Sequence, residues 1–128
     1  MQIQPHYTDL LKEVVEFFNE RLAACENAGI IDVILDPGFG FGKTVEHNFW
    51  LLKNLSVLQI FEKPILAGLS RKSSIYKTLR LTAGEALNGT TVMHTLALHN
   101  GAKILRVHDV KEAMQAIVLT EKYKKTAL

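Results

Sequence analysis

The sequence lacks the features that would place it in several common classes of protein. Cys25 is the only cysteine among 128 residues, so no internal disulfide can form, and no group of Cys and His residues has the spacing of a zinc site. No apolar stretch approaches the roughly 18 to 20 residues that span a bilayer. Residues 1–6 do not combine a positive segment with an apolar run, as a signal peptide does. These absences predict a soluble protein of the reducing cytoplasm.

An excess of charge of one sign is also missing. The sequence has 15 Lys and Arg residues and 13 Asp and Glu residues, which leaves a formal net charge of +2. This charge is too small to favour nucleic acid or a membrane surface, so we expect neither as a partner, and any positive charge that matters must be local. The composition is 48% hydrophobic and 22% charged, which is typical of a globular domain with a core.

The hydrophobic pattern predicts helices that alternate with short buried strands. We predict helices over 7–27, from 45 to 55 or beyond, and over 74–79, 82–100 and 110–124, and strands over 30–36, 64–69 and 103–107. This order indicates an α/β fold with a parallel sheet and right-handed crossovers. Three strands leave two open edges, and a complete (β/α)₈ barrel needs about 250 residues. We therefore expect residues 1–128 to be part of a larger parallel α/β structure.

Each predicted strand ends in residues that are able to bind a ligand. These are Asp36 after the first strand, the Ser-Arg-Lys run at 70–72 after the second, and Arg106 and His108 at the end of the third. In parallel α/β folds, ligands bind at this edge of the sheet. A solvated loop charge is the ordinary alternative for any one of them, and Asp36 could instead begin an Asp-Pro-Gly turn.

Arg106 and His108 form the strongest candidate for an anion site. Two residues separated by one position in a strand face the same side. The guanidinium fork fits phosphate oxygens, and His can donate one hydrogen bond. An arginine within an apolar strand is costly to bury unless it is paired. We predict that the pair binds an anion, and the alternative is a structural ion pair between Arg106 and Asp109.

A glycine-rich loop, Gly38–Thr44, follows the first predicted strand. Its spacing is not that of a P-loop, because proline stands at position 37 where that motif needs glycine. Phe39 and Phe41 in this loop could close over a flat ligand, or they could pack against the rest of the fold.

The run at 70–72 places a hydroxyl and two cations just before a helix. Cations oppose the positive end of the helix dipole, so local stability does not explain them, whereas an anionic or electron-rich ligand would. The alternative is that Ser73 or Ser74 caps the helix while Arg71 and Lys72 stay in solvent.

Three segments taken together resemble the dihydropteroate synthase family. They are 36–43 (DPGFGFGK), 68–73 (GLSRKS) and 106–110 (RVHDV), which occur in the order and spacing of that family's later strand motifs. The resemblance extends over residues 1–123 approximately. It implies a TIM barrel in which the three strands would be the sixth to eighth, so the chain would be the C-terminal part of a (β/α)₈ barrel.

The resemblance also implies an activity. That family joins 4-aminobenzoate to 6-hydroxymethyl-7,8-dihydropterin pyrophosphate, giving dihydropteroate and pyrophosphate in folate biosynthesis. It is a transferase reaction assisted by Mg²⁺. Sulfonamides are similar to 4-aminobenzoate and compete for its pocket.

The family's site residues can be carried over to matching positions of this sequence. The resemblance implies that Asp36, Phe41 and Lys72 bind the pterin, and that Phe39, Ser70 and Arg71 lie on the 4-aminobenzoate side. It implies that Arg106 and His108 hold the pyrophosphate, and that these two residues and Lys72 are the catalytic ones. No metal ligand is assigned within this chain.

The family's early strands have no counterpart here, so we expect the chain alone to lack synthase activity. Its exposed strand edges and apolar surface favour association, and we expect a homodimer or larger assembly. Two alternatives remain open from the residues themselves. One is a self-contained, non-catalytic phosphate- or nucleotide-binding α/β module, and the other is a structural remnant that pairs with another chain.

Overall fold

A computed structural model describes residues 7–40 and 43–127 of the chain. Five α-helices are present in this part: α1 (Tyr7–Asn27), α2 (Val45–Lys53), α3 (Ser73–Leu79), α4 (Leu87–His99) and α5 (Val110–Lys125). Two short strands, β1 (Leu66–Ala67) and β2 (Ile104–Leu105), lie between them, together with 3-10 helices at Leu55–Phe61 and Ala83–Glu85. The alternation of helix and strand that the sequence predicts is therefore present.

The sheet is parallel and brings three chain segments side by side. Strands β1 and β2 pair in the register Leu66↔Ile104. On the other side of β1, Leu35 forms a parallel bridge with Ile65, supported by hydrogen bonds from Leu35 N–H to Pro64 O and from Leu66 N–H to Leu35 O. The segments are therefore ordered first, second, third, as expected for consecutive βα units.

The hydrogen-bonded strands are shorter than the predicted strands at 30–36, 64–69 and 103–107. In the first of these segments, Leu35 alone makes a bridge among the described residues. Ile30, Ile31 and Ile34 have half or more of their surface exposed. These side chains have β-branched strand character but no partner on their outer side in the described part of the chain. Their burial would require further strands.

The core lies between the sheet and the helices that cover it. Leu35, Ile65 and Ala67 are almost completely buried on the sheet, and Ala97 of α4 is buried against them. Apolar side chains on both faces of short strands are typical of a sheet that helices cover.

Two helices end or begin differently from the prediction. Helix α2 ends at Lys53, and a 3-10 helix follows as far as Phe61, where Glu62 adopts a left-handed conformation with φ of 55°. The predicted helix at 82–100 divides at Ala86, because Glu85 Oε1 accepts hydrogen bonds from the Thr82 N–H and hydroxyl at 3.1 and 3.0 Å and closes a short separate turn. No helix in the described ranges is long and apolar enough to cross a membrane.

Candidate functional site

Asp36 and Arg106 meet at the C-terminal edge of the sheet. Arg106 Nη1 lies 2.9 Å from Asp36 Oδ2, and the two side chains are 52% and 36% exposed. Asp36 Oδ1 also accepts the N–H of Gly38 at 2.9 Å, so the Asp-Pro-Gly turn and the ion pair use different oxygens of one carboxylate. The alternative, an ion pair between Arg106 and Asp109, is therefore wrong, because Asp109 pairs with Arg71.

Gly68 provides the space in which Arg106 lies. A Cβ atom at this position would be 2.9 Å from Arg106 Cζ and 3.2 Å from its Nε. The guanidinium therefore lies directly against the backbone of the neighbouring strand end. A glycine at this position is a packing requirement of the arginine.

Ser70 fixes the ring of His108. Ser70 is almost completely buried, and its Oγ accepts the backbone N–H of His108 at 3.2 Å and hydrogen-bonds His108 Nδ1 at 2.8 Å. An oxygen that accepts from the backbone N–H has its own O–H free to donate to Nδ1. When the Ser70 hydroxyl donates to Nδ1, Nε2 of His108 carries the ring proton and can donate it to a ligand.

Arg71 is held by an ion pair that ties the second strand end to the third. Its guanidinium donates to both carboxylate oxygens of Asp109 at 2.9 and 3.0 Å, and to the carbonyls of Ala83 and Gly84 at 2.9 and 3.1 Å. The hydrogen bond from Arg71 holds the pKa of Asp109 below its ordinary value. The backbone of Arg71 is left-handed, with φ of 53°. Its guanidinium is therefore occupied within the fold.

Lys72 lies under the glycine-rich loop. Its Nζ donates to the carbonyl of Phe39, and its Cδ lies 3.1 Å from where a Cβ of Gly40 would stand. Burial lowers the pKa of Lys72, the nearby cation of Arg106 lowers it further, and Asp36 acts in the opposite direction. Lys72 itself is the N-cap of α3, and no side-chain hydrogen bond caps that helix, so the alternative of capping by Ser73 or Ser74 does not apply.

In the glycine-rich loop, the backbone carbonyl of Phe39 faces Lys72, whereas the ring of Phe39 faces the core. Phe39 is 1% exposed and belongs to the core, which corresponds to the packing alternative. Lys43 Nζ donates to the carbonyl of Gly38 at 2.9 Å and closes the loop on itself. Phe41 lies outside the described residues.

Two buried polar side chains near the site, Asn48 and His94, were not predicted from the sequence. Asn48 of α2 is 2% exposed and forms hydrogen bonds with the loop and with α3. His94 of α4 is also 2% exposed, and its Nε2 has no hydrogen-bond partner among the described residues. Burial lowers the pKa of His94, while the charge of Asp109 raises it. A polar residue on the apolar face of a predicted helix is the signal that could have identified both.

The described residues contain no group of three or more His, Cys, Asp or Glu side chains that could hold a metal ion. The carboxylate of Asp36, which belongs to the candidate site, already accepts hydrogen bonds from Arg106 and Gly38. The described part of the site therefore does not fit a divalent cation.

Known proteins that are similar to this chain identify its family. The sequence profile of a family described as "Pterin binding enzyme" matches residues 1–108. The chain belongs to the pterin binding enzyme family. The resemblance of its three strand-end motifs is therefore confirmed.

Curated members of the pterin binding family are similar over almost the whole chain. Dihydropteroate synthase of Escherichia coli strain K12 is 45% identical over 123 residues, which cover 94% of this chain and 44% of that protein. The bifunctional dihydropteroate synthase/dihydropteroate reductase of Helicobacter pylori is 41% identical over 126 residues, which cover 98% of this chain and 33% of that protein. The chain thus spans less than half the length of these relatives.

Solved structures of the pterin binding family have the same fold. Dihydropteroate synthase of Yersinia pestis superposes with a TM-score of 0.88 at 39% identity, covering 91% of this chain and 56% of that one. The enzyme of Xanthomonas albilineans in complex with 7,8-dihydropteroate gives 0.88 at 40% identity, covering 99% and 51%. The predicted α/β fold, part of a parallel (β/α)₈ barrel, is confirmed.

Proposed function

We propose that this chain forms the C-terminal part of a dihydropteroate synthase site. The reaction joins 4-aminobenzoate to 6-hydroxymethyl-7,8-dihydropterin pyrophosphate and releases pyrophosphate. The observation that carries the proposal is that Asp36, Arg106 and Lys72, from three separate segments, gather at one edge of the sheet. The synthases to which the chain is similar support the same assignment.

The chemistry requires cations around the leaving group. As the amine nitrogen forms its bond to the pterin methylene carbon, the bond from that carbon to the pyrophosphate oxygen breaks and its electron pair leaves with pyrophosphate. The amine then loses a proton. Preorganised donors that face the developing charge lower this barrier without a protein nucleophile. Arg106 would supply a guanidinium fork and His108 an Nε2 proton.

The ion pair between Asp36 and Arg106 is suited to being exchanged for substrate. Both side chains are more than a third exposed, and an exposed pair of this kind contributes only about 0 to 1 kcal/mol to stability. Pyrophosphate can therefore draw Arg106 away at little cost. Asp36 is then free to accept from the amino and ring N–H groups of the pterin, beside which we place Phe41 and Lys72.

The proposed 4-aminobenzoate side comprises Phe39, Ser70 and Arg71. Phe39 is buried, and the guanidinium of Arg71 is occupied by Asp109 and two carbonyls. We therefore assign Phe39 and Arg71 to the shape of this wall, through their backbone and their fixed side chains. Ser70 lies between this side and the proposed pyrophosphate position, because its hydroxyl is hydrogen-bonded to His108.

Several further parts of the proposal concern the whole assembly. We propose that the chain alone has no synthase activity, and that the protein works in the cytoplasm. Since the described residues do not fit Mg²⁺, no step is assigned to the metal here. A groove of about 850 Å³ between α4 and α5, lined by Leu96, Leu119 and Tyr123 among others, supports association into a dimer or larger assembly.

Calorimetric titration with a non-hydrolysable dihydropterin pyrophosphate analogue tests the proposal. We expect weak binding by the wild-type chain and its loss in Arg106→Ala and Lys72→Ala. Lys103→Ala is the matched control, because Lys103 is an exposed cation just before β2, at the opposite end of the strand from Arg106. Equal binding by all four proteins would contradict the proposed site.

The second candidate function is a phosphate-binding module without catalysis. It is favoured by three side chains able to bind an anion, those of Arg106, His108 and Lys72, which follow the ends of two neighbouring strand segments and do not depend on a pterin. Titration with inorganic pyrophosphate distinguishes the two functions. Binding of pyrophosphate as tight as that of the pterin analogue would favour the module, because the pterin would then add nothing.

A further inference from the structure

Asn48 connects three parts of the candidate site from a buried position on α2. Its Oδ1 accepts the N–H of Gly40 at 2.8 Å. Its Nδ2 donates to the carbonyl of Thr44 at 3.0 Å and to the hydroxyl of Ser74 at 2.8 Å. One side chain of 2% exposure thus joins the glycine-rich loop, the start of α2 and the first turn of α3.

The contact with Gly40 has a specific relation to Lys72. The N–H of Gly40 and the carbonyl of Phe39 are the two polar ends of a single peptide group. Asn48 holds the N–H end of this group, and Lys72 Nζ donates to its carbonyl end. Because hydrogen bonds at the two ends of one peptide group polarise each other, each bond strengthens the other.

We propose that Asn48 is a positioning residue that places the Lys72 ammonium by fixing the orientation of the Phe39–Gly40 peptide group. The role of Lys72 at the pterin rests on the proposed function, but its placement by Asn48 does not. Gly40 has a φ of 90°, in the left-handed region that glycine adopts freely. Without the bond to Asn48 this peptide group can rotate, and its carbonyl then turns away from Lys72.

A purely structural role makes a different prediction. If Asn48 only tied α2 to α3, its bond to Ser74 would be the important one, and Ser74→Ala would have the same effect as Asn48→Ala. If Asn48 positions Lys72, only the loss of the hydrogen bond from the Gly40 N–H to Asn48 Oδ1 should affect Lys72. Ser74→Ala is therefore the matched control, because it removes one partner of Asn48 and leaves the bond to Gly40.

The experiment uses the ¹⁵N-labelled 128-residue chain and two NMR readouts, the hydrogen-exchange rate of the Gly40 amide and the ¹⁵N signal of the Lys72 ammonium. In Asn48→Ala we expect Gly40 to exchange about tenfold faster, the loss typical of one hydrogen bond. We also expect the Lys72 signal to shift from its wild-type position toward that of exposed lysines such as Lys53. In Ser74→Ala both readouts should stay within about twofold of the wild type, well below the loss of one hydrogen bond.

An unchanged Lys72 signal in Asn48→Ala would overturn the inference, as would an equal effect of Ser74→Ala. If Asn48→Ala does not fold, Asn48→Asp takes its place, because the carboxylate keeps an acceptor for Gly40 and loses both donor bonds. In this variant Gly40 must exchange within about twofold of the wild-type rate, and a Lys72 signal at the position of exposed lysines would refute the placement. The proposed function fails separately, if the wild-type chain does not bind the pterin analogue in calorimetry while the NMR readouts are as expected.

Discussion

Replacing Gly68 by alanine is expected to displace Arg106 while leaving the fold intact. The new Cβ would stand 2.9 Å from Arg106 Cζ, closer than any real contact of this kind. The obstructing group is the end of a long, half-exposed side chain, so it can move without a shift of the backbone. Gly68 is not one of the glycines with positive φ, so alanine is compatible with its backbone conformation.

The structure separates the effect of this change on stability from its effect on binding. The contact that is lost on the protein side is the exposed pair with Asp36, so the free energy of unfolding should fall by at most about 1 kcal/mol. A guanidinium that binds pyrophosphate through charge-assisted hydrogen bonds contributes about 1.5 to 3 kcal/mol. Pyrophosphate affinity should therefore fall about ten- to a hundredfold.

Two assays on the same protein check this separation. Urea unfolding followed by circular dichroism gives the stability, and calorimetric titration with pyrophosphate gives the affinity. Gly84→Ala is the control, since a Cβ there would meet its nearest atom, Thr82 Oγ1, at an ordinary 3.8 Å. Wild-type affinity in Gly68→Ala would refute the assignment of Arg106 to the anion site. A large loss of stability would show that the strand end cannot accommodate the methyl group.

Three further predictions concern the elements around the site. The ion pair with Arg71 lowers the pKa of Asp109 in the folded protein, so the pair stabilises the fold above about pH 4 and this stabilisation is lost as the pH falls through the folded pKa. Asp109→Asn should remove this part of the loss of stability in acid. Burial lowers the pKa of His94, so the wild-type chain should become less stable as the pH falls below about 6.5. In His94→Leu the free energy of unfolding should depend less on pH in this range. Gly89→Ala should cost about 1 to 3 kcal/mol, because a Cβ at Gly89 would lie 2.6 Å from Ile75 Cγ2 where α4 packs on α3.

Urea unfolding as a function of pH tests the first two of these predictions, and unfolding at neutral pH tests the third. Glu85→Gln is a suitable control for Asp109→Asn, since Glu85 is an exposed carboxylate whose bonds stay within its own turn. Stability that does not depend on pH between 5 and 8 in the wild-type chain would contradict the account of His94. Gly84→Ala again serves as control for the alanine at Gly89.

The long helix and the order of the elements could be predicted from the sequence. Helix α1 has the predicted limits, because its apolar stripe runs for several turns and ends before Gly29. The three strand segments also occur within the predicted ranges, but their hydrogen-bonded parts are shorter than predicted. These are properties of neighbouring residues, and the sequence contains them directly.

The partners of the site residues could not be predicted in the same way. Arg71 pairs with Asp109, 38 positions away, while Arg106 pairs with Asp36, 70 positions away. Sequence spacing alone would allow either arginine to pair with either carboxylate. The choice depends on the left-handed backbone at Arg71 and on the space over Gly68, and both appear only when the strand ends are placed side by side.

The burial of Phe39 has a similar origin. Its position in a glycine-rich loop allowed it either to close over a flat ligand or to pack against the fold, and the ring lies in the core while the carbonyl of Phe39 accepts from Lys72. Asn48 holds the loop in this form from another element. Loop conformation is set by such tertiary contacts, which local pattern does not contain.

The ion pair between Asp36 and Arg106 also determines how the candidate site responds to ionic strength. In the ligand-free protein the carboxylate cancels much of the positive potential of the guanidinium, so a distant pyrophosphate is attracted less than the count of cations suggests. Added salt screens the attraction for pyrophosphate, but it also weakens the internal pair that binding must break. These two effects oppose each other. The affinity for pyrophosphate should therefore decline with salt less steeply than it does at a site whose arginine has no carboxylate partner.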